Sequence, residues 1–211
     1  MGVYLRVDEQ HCEPWANTVL YLPLKTDLLD HWPNNITMTA DGITLDSAWA
    51  NFSTTGLMTW NSPSAITWDF TFSSRINPIS AWDGCNIICI WEYYPYYGYR
   101  YGANLGWKLG FTLMRVIDWN DGSTLFSTLY WARHNLMLVR SWTTNTMYVD
   151  GVQFWTYYWS STPTETNIFV GWTWIWFIEW HVNDIIIENK AWSLDERSNY
   201  YNLTKWNYWI S

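Results

Sequence analysis

The stretch "TNTMYVDGVQF" (144–154) alternates, stops at Asp150-Gly151, and starts again with Val152 and Phe154. Glycine supplies a positive φ without steric cost, and aspartate tolerates the left-handed region better than most residues. An Asp-Gly pair between alternating apolar runs therefore predicts two antiparallel strands joined by a tight turn.

Outward from this hairpin the same rhythm continues. "NLMLVRS", "TLFSTLYW", "GWKLGFTLMRVI" and "NIICIW" read as strands. "AITWDFTFS" (65–73) alternates strictly, with Ile66, Trp68, Phe70 and Phe72 on one face and Thr67, Asp69 and Thr71 on the other. "ITMTADGITLD" (36–46) predicts a second Asp-Gly hairpin, and "TVLYLPL" (18–24) alternates again. Helical periodicity is nearly absent and no βαβ rhythm occurs. About a dozen strands with Gly/Asp/Asn turns predict an all-β sandwich of two antiparallel sheets. One helical turn is expected at "SLDERSNYY", where Ser193 can cap and Glu196 can reach back. The 211 residues suit one large β domain. The expected division is an arm over 1–15, with "VYLRV" (3–7) as a short strand in need of a partner, and a sandwich over 16–211.

Nineteen acids against eleven bases leave a net charge of −8, with no run of like charge. That balance excludes a phosphate-neutralising patch, so no nucleic acid is expected. Twenty tryptophans and fifteen tyrosines raise aromatics to 20% while charged residues fall to 14%. Most of these rings suit a core or a pleated surface. The remainder are expected where sugars or neighbouring subunits touch. Cys85 and Cys89 share one strand, ~13 Å apart and too distant for a disulfide. With Cys12 the count is odd, so free thiols are expected. No signal peptide is visible behind Met1. The longest uncharged aromatic run, "IFVGWTWIWFI" (168–178), is too short to span a bilayer as a helix, so no membrane insertion is expected.

Three pieces of the C-terminal third occur in a familiar order: "LMLVRSWTTNTMYVDGVQF", "IFVGW" (168–172) and "WHVNDIIIENKAWSLDER" (180–197). With "ANTVLYLPLKTDLLD" near the start, they make the chain resemble the laminin-G-like, concanavalin A-like lectin/glucanase superfamily. Asn183-Asp184, Asn189-Lys190-Ala191, Ser193 and Glu196 fall in register with the closing strand and turn of that group. The resemblance implies a concanavalin A-like jelly roll in which the first and last strands pair, with a short C-terminal helical turn. Two departures are evident: Trp180 stands where glycine is usual and Trp192 where leucine is usual.

Some relatives in that superfamily hydrolyse glycans with paired carboxylates about 5–5.5 Å apart for retention, or about 6.5–9.5 Å for inversion. Asp184 and Glu188 share a face but stand four residues apart, hence ~13 Å; Glu179 has the opposite parity to Asp184. His134 and His181 are isolated, and no Ser-His-Asp order, phosphate loop or zinc spacing occurs. The expectation is that the chain is not an enzyme and requires no cofactor. The densest remaining feature is "WEYYPYYGYRYG" (91–102), read as a loop. Trp91, Tyr93, Tyr94, Tyr96, Tyr97, Tyr99, Arg100 and Tyr101, with Trp119 from "DWNDGST" (118–124), are the candidate carbohydrate- or partner-binding residues. A loop folded over the sheet edge is the plainer alternative. Asp118, Asn120 and Asp121 could ligate a structural calcium, although the spacing is not that of an EF-hand and a plain turn is simpler. Trp172, Trp174, Trp176 and Trp180 share one face of a segment whose other face holds Ile175 and Phe177. Such a strand should be covered on both sides, by a loop, the arm or another subunit.

The function expected from all this is a non-catalytic, lectin-like structural or decorating subunit of a larger assembly. Its partners would be glycans, neighbouring protein subunits or further copies of itself, and its place a virion or an extracellular surface structure. A free-standing carbohydrate-binding lectin is the alternative, and a glycoside hydrolase the least favoured.

Overall fold

The computed structural model describes residues 17–24, 27–29, 38–45, 49–61, 69–80, 85–91, 97–104, 108–115, 123–126, 133–158, 167–170 and 179–205. Among them are thirteen strands and one helix. In chain order the strands are β1 (Thr18–Leu22), β2 (Thr39–Leu45), β3 (Ala50–Asn61), β4 (Phe70–Ser80), β5 (Cys85–Trp91), β6 (Tyr97–Asn104) and β7 (Lys108–Arg115). They continue with β8 (Ser123–Phe126), β9 (His134–Ser141), β10 (Thr144–Val149), β11 (Val152–Tyr158), β12 (Asn167–Val170) and β13 (Glu179–Glu188), before α1 (Leu194–Thr204). Every pairing is antiparallel. No helix among the described residues is long and apolar enough to cross a membrane.

The ladders resolve into a six-stranded layer, β1-β13-β4-β9-β10-β11, and a seven-stranded layer, β2-β3-β12-β5-β6-β7-β8. The two join where β13 meets β3 through Trp180↔Phe52, His181↔Asn51 and Val182↔Ala50. Further along, β13 exchanges β3 for β1, pairing Ile185, Ile186, Ile187 and Glu188 with Leu22, Tyr21, Leu20 and Thr18. First and last strands thus pair, as the resemblance implied. One core unites both layers: Leu20, Phe70, Phe72, Leu136, Leu138, Met147 and Ile187 from the first meet Ala50, Phe52 and Met58 from the second. Each such large side chain taken from water contributes about 1.5–3 kcal/mol. The architecture is an all-β sandwich.

The alternation is locally interrupted where the chain needs it. Val182 and Ile185 both enter the core although they are three positions apart, an odd step that strict alternation would put on opposite faces. A register shift between Asn183 and Ile186, with Asp184 at φ 48°, absorbs the extra residue. A similar device corrects one expectation. Asp41-Gly42 is not a hairpin turn; it lies inside β2, where Gly42 at φ 64° stands at a register shift between Asp41↔Leu57 and Ile43↔Phe52, with the extra residues on β3. An Asp-Gly pair serves either purpose, because both a turn and a register shift within a strand accept a residue at positive φ.

The six-stranded layer buries apolar side chains on both faces. Leu136 and Leu138 face the sandwich core, whereas Met137 and Val139 of the same strand meet Tyr148, Trp192 and Tyr200 under α1. The helix is longer than the single turn expected, eleven residues, and its capping box forms as expected: the Glu196 N–H donates to Ser193 Oγ and the Ser193 N–H donates to Glu196 Oε2. Thr71, placed by alternation on the outer face, is buried there beneath the helix approach. Its hydroxyl donates to Lys190 O and accepts from the Trp192 N–H.

The hairpin at Asp150-Gly151 joins β10 to β11 as expected, with φ of 51° and 78°. It also reaches further than a turn. Asp150 Oδ1 accepts from the Asn135 N–H (2.9 Å), its Oδ2 meets His134 Nδ1 (2.7 Å), and its own N–H donates to Asn135 O. A β-carbon on Gly151 would stand 2.8 Å from Cδ1 of Tyr201 on α1. Gly151→Ala is therefore expected to destabilise the fold by about 2–3 kcal/mol, combining the positive φ with a steric conflict. A urea unfolding midpoint indistinguishable from that of the parent protein would contradict this.

Candidate functional site

The stretch read as a tyrosine loop divides. Trp91 ends β5, and Tyr97, Tyr99, Arg100 and Tyr101 belong to β6, an interior strand between β5 and β7. Tyr93, Tyr94, Tyr96 and Trp119 lie outside the described residues, as do the arm with Cys12, residues 118–122 and the tryptophans at 172, 174 and 176. Tyr101 falls in the backbone row Met58–Val170–Ile88–Tyr101–Phe111, and Tyr99 in the neighbouring row with Ile90 and Leu113. Met58 is fully buried in the core. Arg100 takes the alternate row, with Cys89 and Thr112. Half of the stretch is thus regular sheet, and the connection itself is only 92–96.

The two carboxylates on the last strand do come to one side of the layer, the α1 side, but each is committed. Asp184, buried, forms an ion pair with buried Arg75 of β4 and accepts a weak hydrogen bond from the Tyr21 hydroxyl (3.4 Å); its N–H donates to Pro23 O. Tyr200 of α1 lies over this pair, and burial pushes its hydroxyl up to about 12, with Arg75 opposing and Asp184 adding to the rise. Glu188, also buried, accepts from Trp192 Nε1 (2.5 Å) and from Thr18 Oγ1 (3.1 Å). Burial raises its pKa above the ordinary 4.5, while those two hydrogen bonds pull it down. Trp192 therefore fills the layer under α1 and supplies the donor that Glu188 needs. The acidic residues that look most like a catalytic pair are packing and pairing groups. Among the described residues, no group of three or more His, Cys, Asp or Glu gathers around a common point that could hold a metal.

A residue that the sequence reading passed over stands out. Ser141 pairs with Thr144, leaving Trp142 and Thr143 as the two-residue link between β9 and β10. Trp142 adopts φ 55° and its side chain is 75% exposed. Two-residue hairpins with positive φ at the first central position ordinarily place glycine there, and a left-handed non-glycine residue costs about 1–2 kcal/mol. The turn is held regardless: the Trp142 N–H donates to Asp69 Oδ1 and the Trp142 carbonyl accepts from Arg140 Nε, both at 2.7 Å. A strained residue kept by its surroundings, with a large ring turned to solvent, is the pattern that marks contact sites. The signal in the sequence was an aromatic residue at a glycine position in "SWTT", hidden by the abundance of tryptophan elsewhere.

Beside that turn the outer face of the layer is open. The rows Val139–Thr146–Thr156 and Ser141–Thr144–Tyr158 run across β9, β10 and β11. Val139 is covered from α1, but Ser141 is exposed, Tyr158 is 73% exposed, and Thr144, Thr146 and Thr156 are half-buried.

No protein-family model matches the chain, and no curated protein matches it. Solved structures do resemble it. The binding domain of botulinum neurotoxin serotype C1 aligns over 89% of this chain with a TM-score of 0.74 and 16% identity. The binding domain of botulinum neurotoxin DC aligns similarly in its complex with SialylT (0.74, 16%, 89% of this chain) and in its complex with rat synaptotagmin II (0.75, 17%, 88%). The chain spans about half the length of these domains, 51–52%. At such identities the likeness establishes the fold, a β-sandwich of the kind found in those binding domains.

Proposed function

We propose that this chain is a non-catalytic, lectin-like binding module of concanavalin A-like, laminin-G-like type, carried on a larger surface assembly such as a virion. The observation that carries the reading is the state of the β13 acids. Asp184 and Glu188 are buried and bound to Arg75, Tyr21, Trp192 and Thr18, whereas the rings of Trp142 and Tyr158 face solvent. Buried carboxylates braced by structural partners suit stability, and exposed rings suit recognition. The fold shared with toxin binding domains supports the same direction, since those proteins have been seen with SialylT and with synaptotagmin II. Tyr93, Tyr94, Tyr96 and Trp119 remain proposed further contacts, and a structural calcium at 118–124 a proposed accessory.

The test uses the purified full chain on an array of oligosaccharides, beside a hydrolysis assay on a panel of β-glucans and a sizing column. Retention of glycans with no release of reducing sugar is expected. Self-association on the column supports the assembly role, and a monomer that binds glycans points to a free-standing lectin. Sustained turnover of any glucan would overturn the non-catalytic reading.

A further inference from the structure

We infer that Trp142, Tyr158 and the hydroxyl-bearing rows beside them form a binding platform for a neutral glycan, an inference that rests on the binding-module reading above. Ser141, Thr144 and Tyr158 are directly opposite one another on β9, β10 and β11, so the platform is two strand spacings wide. At ~4.8 Å per spacing that is roughly 10 Å, about the length of two hexose rings. Trp142 stands in the turn that joins the first two members of this row, and Tyr158 ends the row on β11. The two rings are 75% and 73% exposed. A sugar offers an apolar C–H face to such rings and hydroxyls to its sides. Beside the rings these two rows present the hydroxyls of Ser141, Thr144, Thr146 and Thr156, the last accepting a hydrogen bond from Gln153 Nε2 (3.1 Å). Each hydroxyl can donate and accept, which matches the bidirectional bonding of a sugar hydroxyl.

The charge pattern selects the class of sugar. None of the exposed or half-buried positions on these rows is ionisable apart from the phenol of Tyr158. Arg140 is fully buried, with its Nε held by the Trp142 carbonyl, and the carboxylate against the turn is that of Asp69. Among the described residues, the basic groups on this face are engaged, Arg197 over the Tyr148 ring at 4.3 Å and Lys190 in an ion pair with Glu196, and a carboxylate stands at the border, so a neutral glycan is favoured over a sialylated one. The geometry of the turn serves the same end. Because both backbone polar groups of Trp142 are anchored, the ring is presented on a fixed backbone, which reduces the ordering cost of binding.

The test compares the intact chain with Trp142→Gly, Trp142→Phe and Tyr158→Ala. Probes are immobilised neutral oligosaccharides (β-linked glucose and galactose oligomers) and sialyllactose, with calorimetric titration of the best neutral binder. Trp142→Gly relieves the positive φ, so it should melt at or above the temperature of the parent protein while binding at least tenfold more weakly. Tyr158→Ala should also lose at least tenfold, and Trp142→Phe should keep most of the affinity. Neutral-glycan binding unchanged in both Trp142→Gly and Tyr158→Ala would overturn the platform and leave the binding-module reading standing. Binding of sialyllactose alone would overturn the neutral class. Absence of any glycan binding by the intact chain would overturn both the platform and the lectin reading.

Discussion

Asp184→Ala is expected to destabilise the protein by about 3–5 kcal/mol, through folding and with no catalytic component. Truncation leaves the buried guanidinium of Arg75 without its counter-charge, and breaking a buried ion pair from one side costs that much. It also places alanine at φ 48°, where aspartate or asparagine is better tolerated. Asp184→Asn separates the two effects, because it keeps the conformational tolerance and removes the charge. Combining Asp184→Asn with Arg75→Met should recover much of the loss, since an apolar replacement of the whole pair is often neutral or stabilising. Urea unfolding of the parent, Asp184→Asn, Arg75→Met and their combination gives the coupling energy. A coupling near zero would mean that Arg75 and Asp184 do not depend on one another, contrary to the structure. The same variants show whether the carboxylate matters to chemistry: no glycan turnover is expected in the parent protein, so none can be lost.

Trp192→Ala is expected to cost a similar 3–5 kcal/mol, the usual range for emptying a buried aromatic site. Its ring packs against Tyr200 at 5.1 Å between centroids and helps to hold α1 over Met137 and Val139. The loss has a pH-dependent part that Trp192→Phe exposes by keeping most of the volume and removing the N–H. Burial already raises the pKa of Glu188 above 4.5, so ionising it opposes folding; its favourable contribution is complete below the unfolded value and disappears as pH rises through the folded one. Removing the indole donor, which favours the carboxylate, raises the folded value further. The stability difference between parent and Trp192→Phe should therefore be smaller at pH 4 than at pH 7. A difference independent of pH would show that the 2.5 Å contact between the indole and Glu188 has no influence on ionisation. Glu196 behaves oppositely. Burial raises its pKa, but Lys190 and the Ser193 bonds outweigh that and lower it, so its contribution fades as pH falls.

The structure divides legible from illegible features along a physical line. Whatever depended on neighbours in sequence could be read directly. The Asp150-Gly151 hairpin, the burial of Phe70 and Phe72 and the Ser193–Glu196 capping box follow from local backbone preference and from alternation. The order of pieces at the two ends also made the pairing of first and last strands an expectation, which Leu20↔Ile187 and its neighbours meet. What involved a partner far along the chain could not be read. Nothing near Asp41-Gly42 tells a register shift within a strand from a turn, since both accept the same positive φ, and the choice was made by β3 lying alongside. Thr71, an outward position by alternation, is buried because a strand end 119 residues away folds across it. Asp184 and Glu188 looked equally free until Arg75, Tyr21, Thr18 and Trp192 closed on them. The candidate site divides in the same way. The sequence by itself determined a tyrosine-rich segment and an all-β frame, because composition and period are properties of the chain. Only the tertiary structure decided that Tyr99 and Tyr101 fall in the row of Met58 and its neighbour, and that the Trp142 ring is exposed. Register and a clamped turn depend on bonds from Asp69 and Arg140, and such long-range contacts leave no mark on local pattern.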